Sequence, residues 1–161
     1  MAWARNGTPN TLSGTADDCD ITDLTANKFN QMLFHAIASG QVNSTCTLNN
    51  DGTSVYAFRY SDDGGTDGTG TSQLGLDSDY SYNNTSSFKV GYLISISGEE
   101  KLYISFEINA ATAGASNPPN RREWVSKYVP SPDADVTRID WNNSGTGDYA
   151  VGTNLSAIGT D

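Results

Sequence analysis

The stretch RYSDDGGTDGTGTSQ, residues 59–73, sets Asp62, Asp63 and Asp67 among glycines and hydroxyl side chains. Clustered carboxylates can supply part of the oxygen shell of a calcium ion, which takes about six to eight donors. The acids do not follow the fixed order of an EF-hand loop, and no closing Glu follows them. A cation bound here would be held by these three aspartates; the competing reading is a solvated loop between two strands. The glycines lack the Gly-Lys-Ser/Thr ending of a phosphate cradle.

Hydrolytic chemistry requires two carboxylates facing one cleft. Glu99 and Glu100 fall in a turn signal, Glu107 and Glu123 fall in strand-like runs, and no spacing brings two of them together. The lone histidine, His35, would have to serve as the base of any Ser-His-Asp set. It sits in the most apolar segment, KFNQMLFHAIASG, and reads as a packing residue. No nucleophile motif is present, so the chain is read as non-enzymatic. Cys19 and Cys46 match no zinc spacing. The default for the pair is two buried free thiols, and a disulfide would need adjacent strands with suitable geometry.

The aromatic side chains offer a different chemistry. Sixteen residues are Phe, Trp or Tyr, enough to supply both a core and a binding face. Tyr80 and Tyr82 lie in DSDYSYNN, expected to be a polar loop, Trp3 lies near the start, and Trp141 adjoins an Asn-rich loop. Together with Trp124, these are the residues expected to make contacts. Trp and Tyr near Asn and Asp suit stacking on a sugar ring, and they equally suit a protein interface.

The elements that must position these groups are strands. Charged residues make up only 17% of the chain, Lys plus Arg number nine, and the polarity comes from Gly, Ser, Thr, Asn and Asp. Those residues favour turns and strand surfaces over helices. The net charge of −10 argues against a nucleic-acid partner, because phosphate contacts need Lys and Arg. Six Asn-x-Ser/Thr sites accompany this composition, as chance supplies in a chain so rich in those residues. The opening MAWARNGT lacks the apolar run of an export signal, and no stretch reaches membrane-spanning length; neither export nor membrane insertion is expected.

Period-two alternation is the dominant pattern. FKVGYLISIS places Phe88, Val90, Tyr92, Ile94 and Ile96 on one face, and KLYISFEINA does the same with Leu102, Ile104, Phe106 and Ile108. The intervening SGEE makes the pair a β-hairpin. SVYAFRYS aligns Tyr56, Phe58 and Tyr60; REWVSKYV aligns Trp124 with Tyr128 and puts Val125 opposite; VTRIDW aligns Ile139 with Trp141. CDITDL and STCTLN are shorter candidates. Residues 28–40 fit both helical spacing and alternation, and the all-β surroundings favour a strand buried on both sides. The expectation is one domain over residues 1–161, an antiparallel β-sandwich or jelly roll of about eight strands.

The segments DITDLTANKFNQMLFHAIASG, NNDGTSVYAFRYSDDGGTDGT, ISISGEEKLYISFEINAATAGASNPPNRREWVSKYV and VTRIDWNNSGTGDYAVGTNLSAIGTD resemble those of small β-rich proteins of tailed phages and environmental viruses. The resemblance implies a virion component, capsid-decorating or of tail-fibre type, assembled in the host cytoplasm. Its partners would be further copies of itself, such as a trimer, and other virion proteins. It also favours the strand reading of residues 29–37 and brings no catalytic residues. Without a fibre shaft or coiled coil, the capsid surface is the preferred place. The alternative is a carbohydrate-binding module of a tail tip, with a host-surface glycan as ligand.

Overall fold

The computed structural model describes residues 2–161 apart from Ala111, Ala113 and Pro132, and does not describe the side chains of residues 78–82. The described chain is all-β and antiparallel, with no helix. Its strands are β1 (Ala4–Arg5), β2 (Asn10–Thr11), β3 (Asp18–Ile21), β4 (Phe29–Ser39), β5 (Gln41–Leu48), β6 (Tyr56–Asp62), β7 (Gly68–Gln73), β8 (Asp77–Asn83), β9 (Ser86–Ile94), β10 (Lys101–Asn109), β11 (Asn120–Tyr128), β12 (Ile139–Asn143), β13 (Asp148–Tyr149) and β14 (Asn154–Thr160).

Ten of these strands form one sheet whose main path runs β1-β14-β4-β9-β10-β11-β6-β7, with β13 on β4 and β2 on β14. The other four form a second sheet, β3-β12-β5-β8. The strand count thus exceeds the eight expected, because short segments add to the large sheet and the glycine-rich stretch after Asp62 contributes β7. The hairpin expected from FKVGYLISIS and KLYISFEINA is β9–β10, with Ile104 opposite Tyr92 and Phe106 opposite Val90. Residues 29–39 form a strand, as the all-β surroundings favoured, but one buried on a single face and not on both as expected. A single residue, Gly40 at φ +94°, then separates β4 in the large sheet from β5 in the small one.

Side chains of the two sheets meet in one core. Phe34 of β4 stacks on Trp141 of β12 at 4.4 Å between ring centres, and Tyr149 meets Phe34 edge-on at 5.7 Å. Tyr56 and Tyr128 stack at 4.8 Å as cross-strand partners. Cys19 and Cys46 are both buried and free. They lie on opposite sides of Trp141, on β3 and β5 with β12 between them. Two strand spacings, about 9.6 Å, separate them, which is too far for a disulfide. Burial pushes the Cys19 thiol up to about 12 and Cys46 well above its ordinary value. Neither is a ready nucleophile, because the thiolate is the reactive form.

The inner face of β9 and β10 is more polar than the outer one. Lys89, Ser87, Tyr103, Ser105 and Glu107 are all buried. The small residue Gly91 sits beneath the Tyr103 ring, where a Cβ would come within 2.6 Å of it. Lys101 is also buried and ties down the turn between β9 and β10. It donates to the carbonyls of Ile96 at 2.7 Å and Glu99 at 3.0 Å, and to Asp133 at 2.6 Å.

Candidate interaction surface

The residues facing away from the small sheet on β9 and β10 are the apolar ones. Phe88, Val90, Tyr92 and Ile94 pair in register with Ile108, Phe106, Ile104 and Leu102. The pattern continues sideways onto Val125 of β11, which is opposite Ile104, and onto Leu33 of β4, which is opposite Val90. Leu33, Phe88, Tyr92, Ile94, Leu102, Ile104, Phe106, Ile108, Val125 and Ile158 are 37–53% exposed, Phe106 the most. At roughly 200 Å² per large side chain, these residues leave on the order of 900 Å² uncovered. Monomeric soluble proteins rarely expose an apolar patch above about 300–600 Å².

The border of this face is charged but balanced. Along the β11–β6 side, Arg59 pairs with Asp67 at 3.1 Å, Arg121 with Glu123 at 3.8 Å and Lys127 with Glu100 at 2.9 Å. These three cations and three anions cancel, so the chain's negative excess lies on other residues. His35 also lies here, opposite Phe88, and is exposed. It is therefore not the packing histidine that its apolar neighbours suggested. In β4, only the face with Met32, Phe34 and Ala36 is buried; the face with Leu33 and His35 is open. The groove beside His35 is lined by Ser86, Ser87, Phe88, Ile108, Asn109, Ala110 and Pro119, with no acid among these described residues.

The residues expected to make contacts are placed unequally. Trp3 is exposed. Trp124 and Trp141 are buried, and so are not surface contacts: both face inward on strands, Trp141 against Phe34 and Trp124 against Phe58 and Tyr60. Tyr80 and Tyr82 belong to β8, paired with Ser44 and Val42, and not to a loop; their side chains lie outside the described residues. The three aspartates do not converge on a cation. Asp62 takes two hydrogen bonds from the Arg122 guanidinium, Asp63 accepts from the Arg121 backbone N–H at 2.8 Å, and Asp67 holds Arg59. The β6–β7 hairpin spreads them, and a nearby arginine or backbone donor already engages each one. Among the described residues, no three His, Cys, Asp or Glu side chains gather as a metal site.

A second feature lies at the far end of the large sheet. Phe58, Tyr60 and Trp124 form a ring cluster, with ring centres 4.7 Å apart for Phe58–Trp124 and 4.8 Å for Tyr60–Trp124. The Arg122 guanidinium lies over Tyr60 at 5.1 Å and Trp124 at 5.4 Å. These residues, with Gln73, line a cleft of about 260 Å³. Gly68 and Gly70 of β7 let the Tyr60 and Phe58 rings lie on the strand, since a Cβ at either would come within 2.7 Å of a ring.

Sequence reasoning separated the two faces of β9 and β10 but did not single out the open one. One available signal was size: Ser87, Gly91 and Ser105 are small and leave room for a second layer to approach the inner face. Comparison with protein-family models, curated proteins and solved structures finds no match to this chain.

Proposed function

We propose that this chain is a non-enzymatic structural subunit that assembles through the outer face of its large sheet. The observation that carries this reading is the continuous apolar face of β4, β9, β10 and β11 with its charge-balanced border. A face of this size matches the roughly 800 Å² that each partner contributes to a standard interface. The occupant we assign is a second copy of the chain. A strongly acidic partner would ordinarily be repelled by a body of net charge −10, but the paired ions at this border let two copies meet without opposing like charges. The finer architecture that fits is a two-layer sandwich, with the small sheet covering one side of the large sheet and another subunit covering the other. The viral part of the reading, a capsid-decorating or tail-fibre component within a virion, is supported by the resemblance of the sequence segments.

The test is sedimentation of the purified chain beside the double variant Ile104→Lys, Phe106→Lys. Both positions are exposed in the subunit, so the variant keeps its core. The wild type is expected to self-associate at micromolar concentration, and the variant by at least about 100-fold less, since central apolar contacts dominate such interfaces. A wild type that stays monomeric at high micromolar concentration overturns the reading.

A second reading, a carbohydrate-binding module, is favoured by the cleft of Phe58, Tyr60, Trp124 and Arg122. There a half-buried ring and a guanidinium border a polar hollow. Binding on a glycan array that disappears in Tyr60→Ala would promote it; an empty array removes it.

A further inference from the structure

Three ionisable side chains meet where the two sheets touch. Lys89 of β9 places Nζ 2.6 Å from Asp77 Oδ2 and 3.1 Å from Glu107 Oε2. Asp77 is the first residue of β8 in the small sheet; Glu107 sits directly across from Lys89 on β10. All three side chains are at most 2% exposed. The Trp141 ring covers the amine at 4.3 Å. Asp77 Oδ1 has no hydrogen-bond partner among the described residues.

This arrangement exceeds what a structural ion pair requires. One ammonium with two carboxylates carries an uncancelled negative charge, which is costly in a dry interior unless one carboxyl holds a proton. Burial, reinforced by Glu107, raises Asp77 above the usual carboxylate range, whereas Lys89 acts in the opposite direction. The site then contains an ammonium, a neutral carboxylic acid in contact with it, and a carboxylate able to take a proton from the ammonium. Fixed contact between reacting groups substitutes for a high concentration of each.

We propose that Lys89 and Asp77 become joined in the folded chain by an intramolecular amide between Nζ and Cγ, with Glu107 as the proton carrier. Glu107 takes a proton from the Lys89 ammonium, and the freed lone pair attacks Cγ of the protonated Asp77. Glu107 gives its proton to the departing hydroxyl, takes the second amine proton, and ends as a neutral acid. One C–N bond forms, one C–O bond breaks, one water leaves, and nothing is oxidised or reduced. The reaction removes every charge from the buried cluster. The product links the small sheet to the large one covalently, a role that the separated cysteines cannot fill.

Intact-mass spectrometry of the purified, folded chain tests this directly. The wild type is expected to be lighter than its sequence by one water, and Lys89→Arg and Glu107→Gln to have their full sequence masses. Asp77→Asn is expected to be lighter by one ammonia instead, since the same attack on an amide expels ammonia. No Lys or Arg lies between Arg59 and Lys89, and the next tryptic site is Lys101. A joined Lys89 resists trypsin, so residues 60–101 should appear as one peptide lacking a water, with the loss spanning Asp77 to Lys89. A folded wild type at full sequence mass overturns the proposal even if the variants fail to fold. A water loss placed at Glu107 or elsewhere also overturns it. The assembly experiment above does not depend on either result.

Discussion

Asp20 illustrates how a single residue is governed by its strand neighbours. It lies opposite Asp140 in the β3–β12 ladder, and Arg138 binds both carboxylates, reaching Asp20 Oδ2 at 2.9 Å and Asp140 through Nε. Asp140 is fully buried and also accepts the Asn50 backbone N–H at 2.9 Å. Partial burial and the Asp140 charge raise Asp20 to about 6, against the opposing pull of Arg138. The folded state therefore holds this proton more tightly than the unfolded chain. Its contribution favours folding at low pH and is lost as pH rises from about 4 to about 6. Because Asp20 retains some exposure, the effect is on the order of 1–2 kcal/mol. Chemical unfolding at a series of pH values should show that slope as a difference between the wild type and Asp20→Asn. Identical pH profiles would contradict it.

At the scale of elements, the transfer from β4 to β5 rests on Gly40. Its φ of +94° lies where a side chain is strained, and a Cβ would lie 3.1 Å from the Gly147 Cα. A valine there should destabilise the fold by about 1–3 kcal/mol and lower the melting temperature by several degrees. Thermal unfolding followed by circular dichroism checks this. An unchanged Tm would mean that the junction tolerates a β-branched residue. Of the strands on either side, β4 fits helical spacing as well as alternation and is favoured as a strand only by its all-β surroundings, whereas the short run STCTLN that overlaps β5 was legible. So was the pairing of β9 with β10, where two period-two runs flank a short turn. The small sheet was less legible: β3 is four residues long, and β8 was hidden in a stretch whose Asn, Ser and Asp content resembles a loop. Pairing with β5 overrides that local preference, as tertiary context commonly does in strands.

For the whole molecule, the charge distribution sets how assembly responds to salt. Net charge repels one copy from another over long range, while the border ion pairs leave the apolar face neutral. Raising salt shortens the Debye length to about 3 Å at 1 M, which screens the repulsion and leaves apolar burial intact. Self-association should therefore tighten several-fold between about 0.05 and 0.5 M NaCl, measured by analytical ultracentrifugation. Weakening over that range would indicate an interface built on ion pairs.

The sequence alone determined that the chain is all-β, where most of the long strands run, and which residues of each strand share a face, because side chains alternate along any extended backbone whatever surrounds it. It could not determine which face would be covered. That depends on where the small sheet lies, and the small sheet is brought there by contacts distant in sequence, such as Phe34 with Trp141 and Lys89 with Asp77. Tertiary structure thus buried Trp124 and Trp141, drew a lysine and two acids into the interior, and left the aliphatic rows of β9 and β10 outside. The physical reason is that alternation is a local property of the backbone, whereas burial belongs to pairs of surfaces that meet only once the chain has folded.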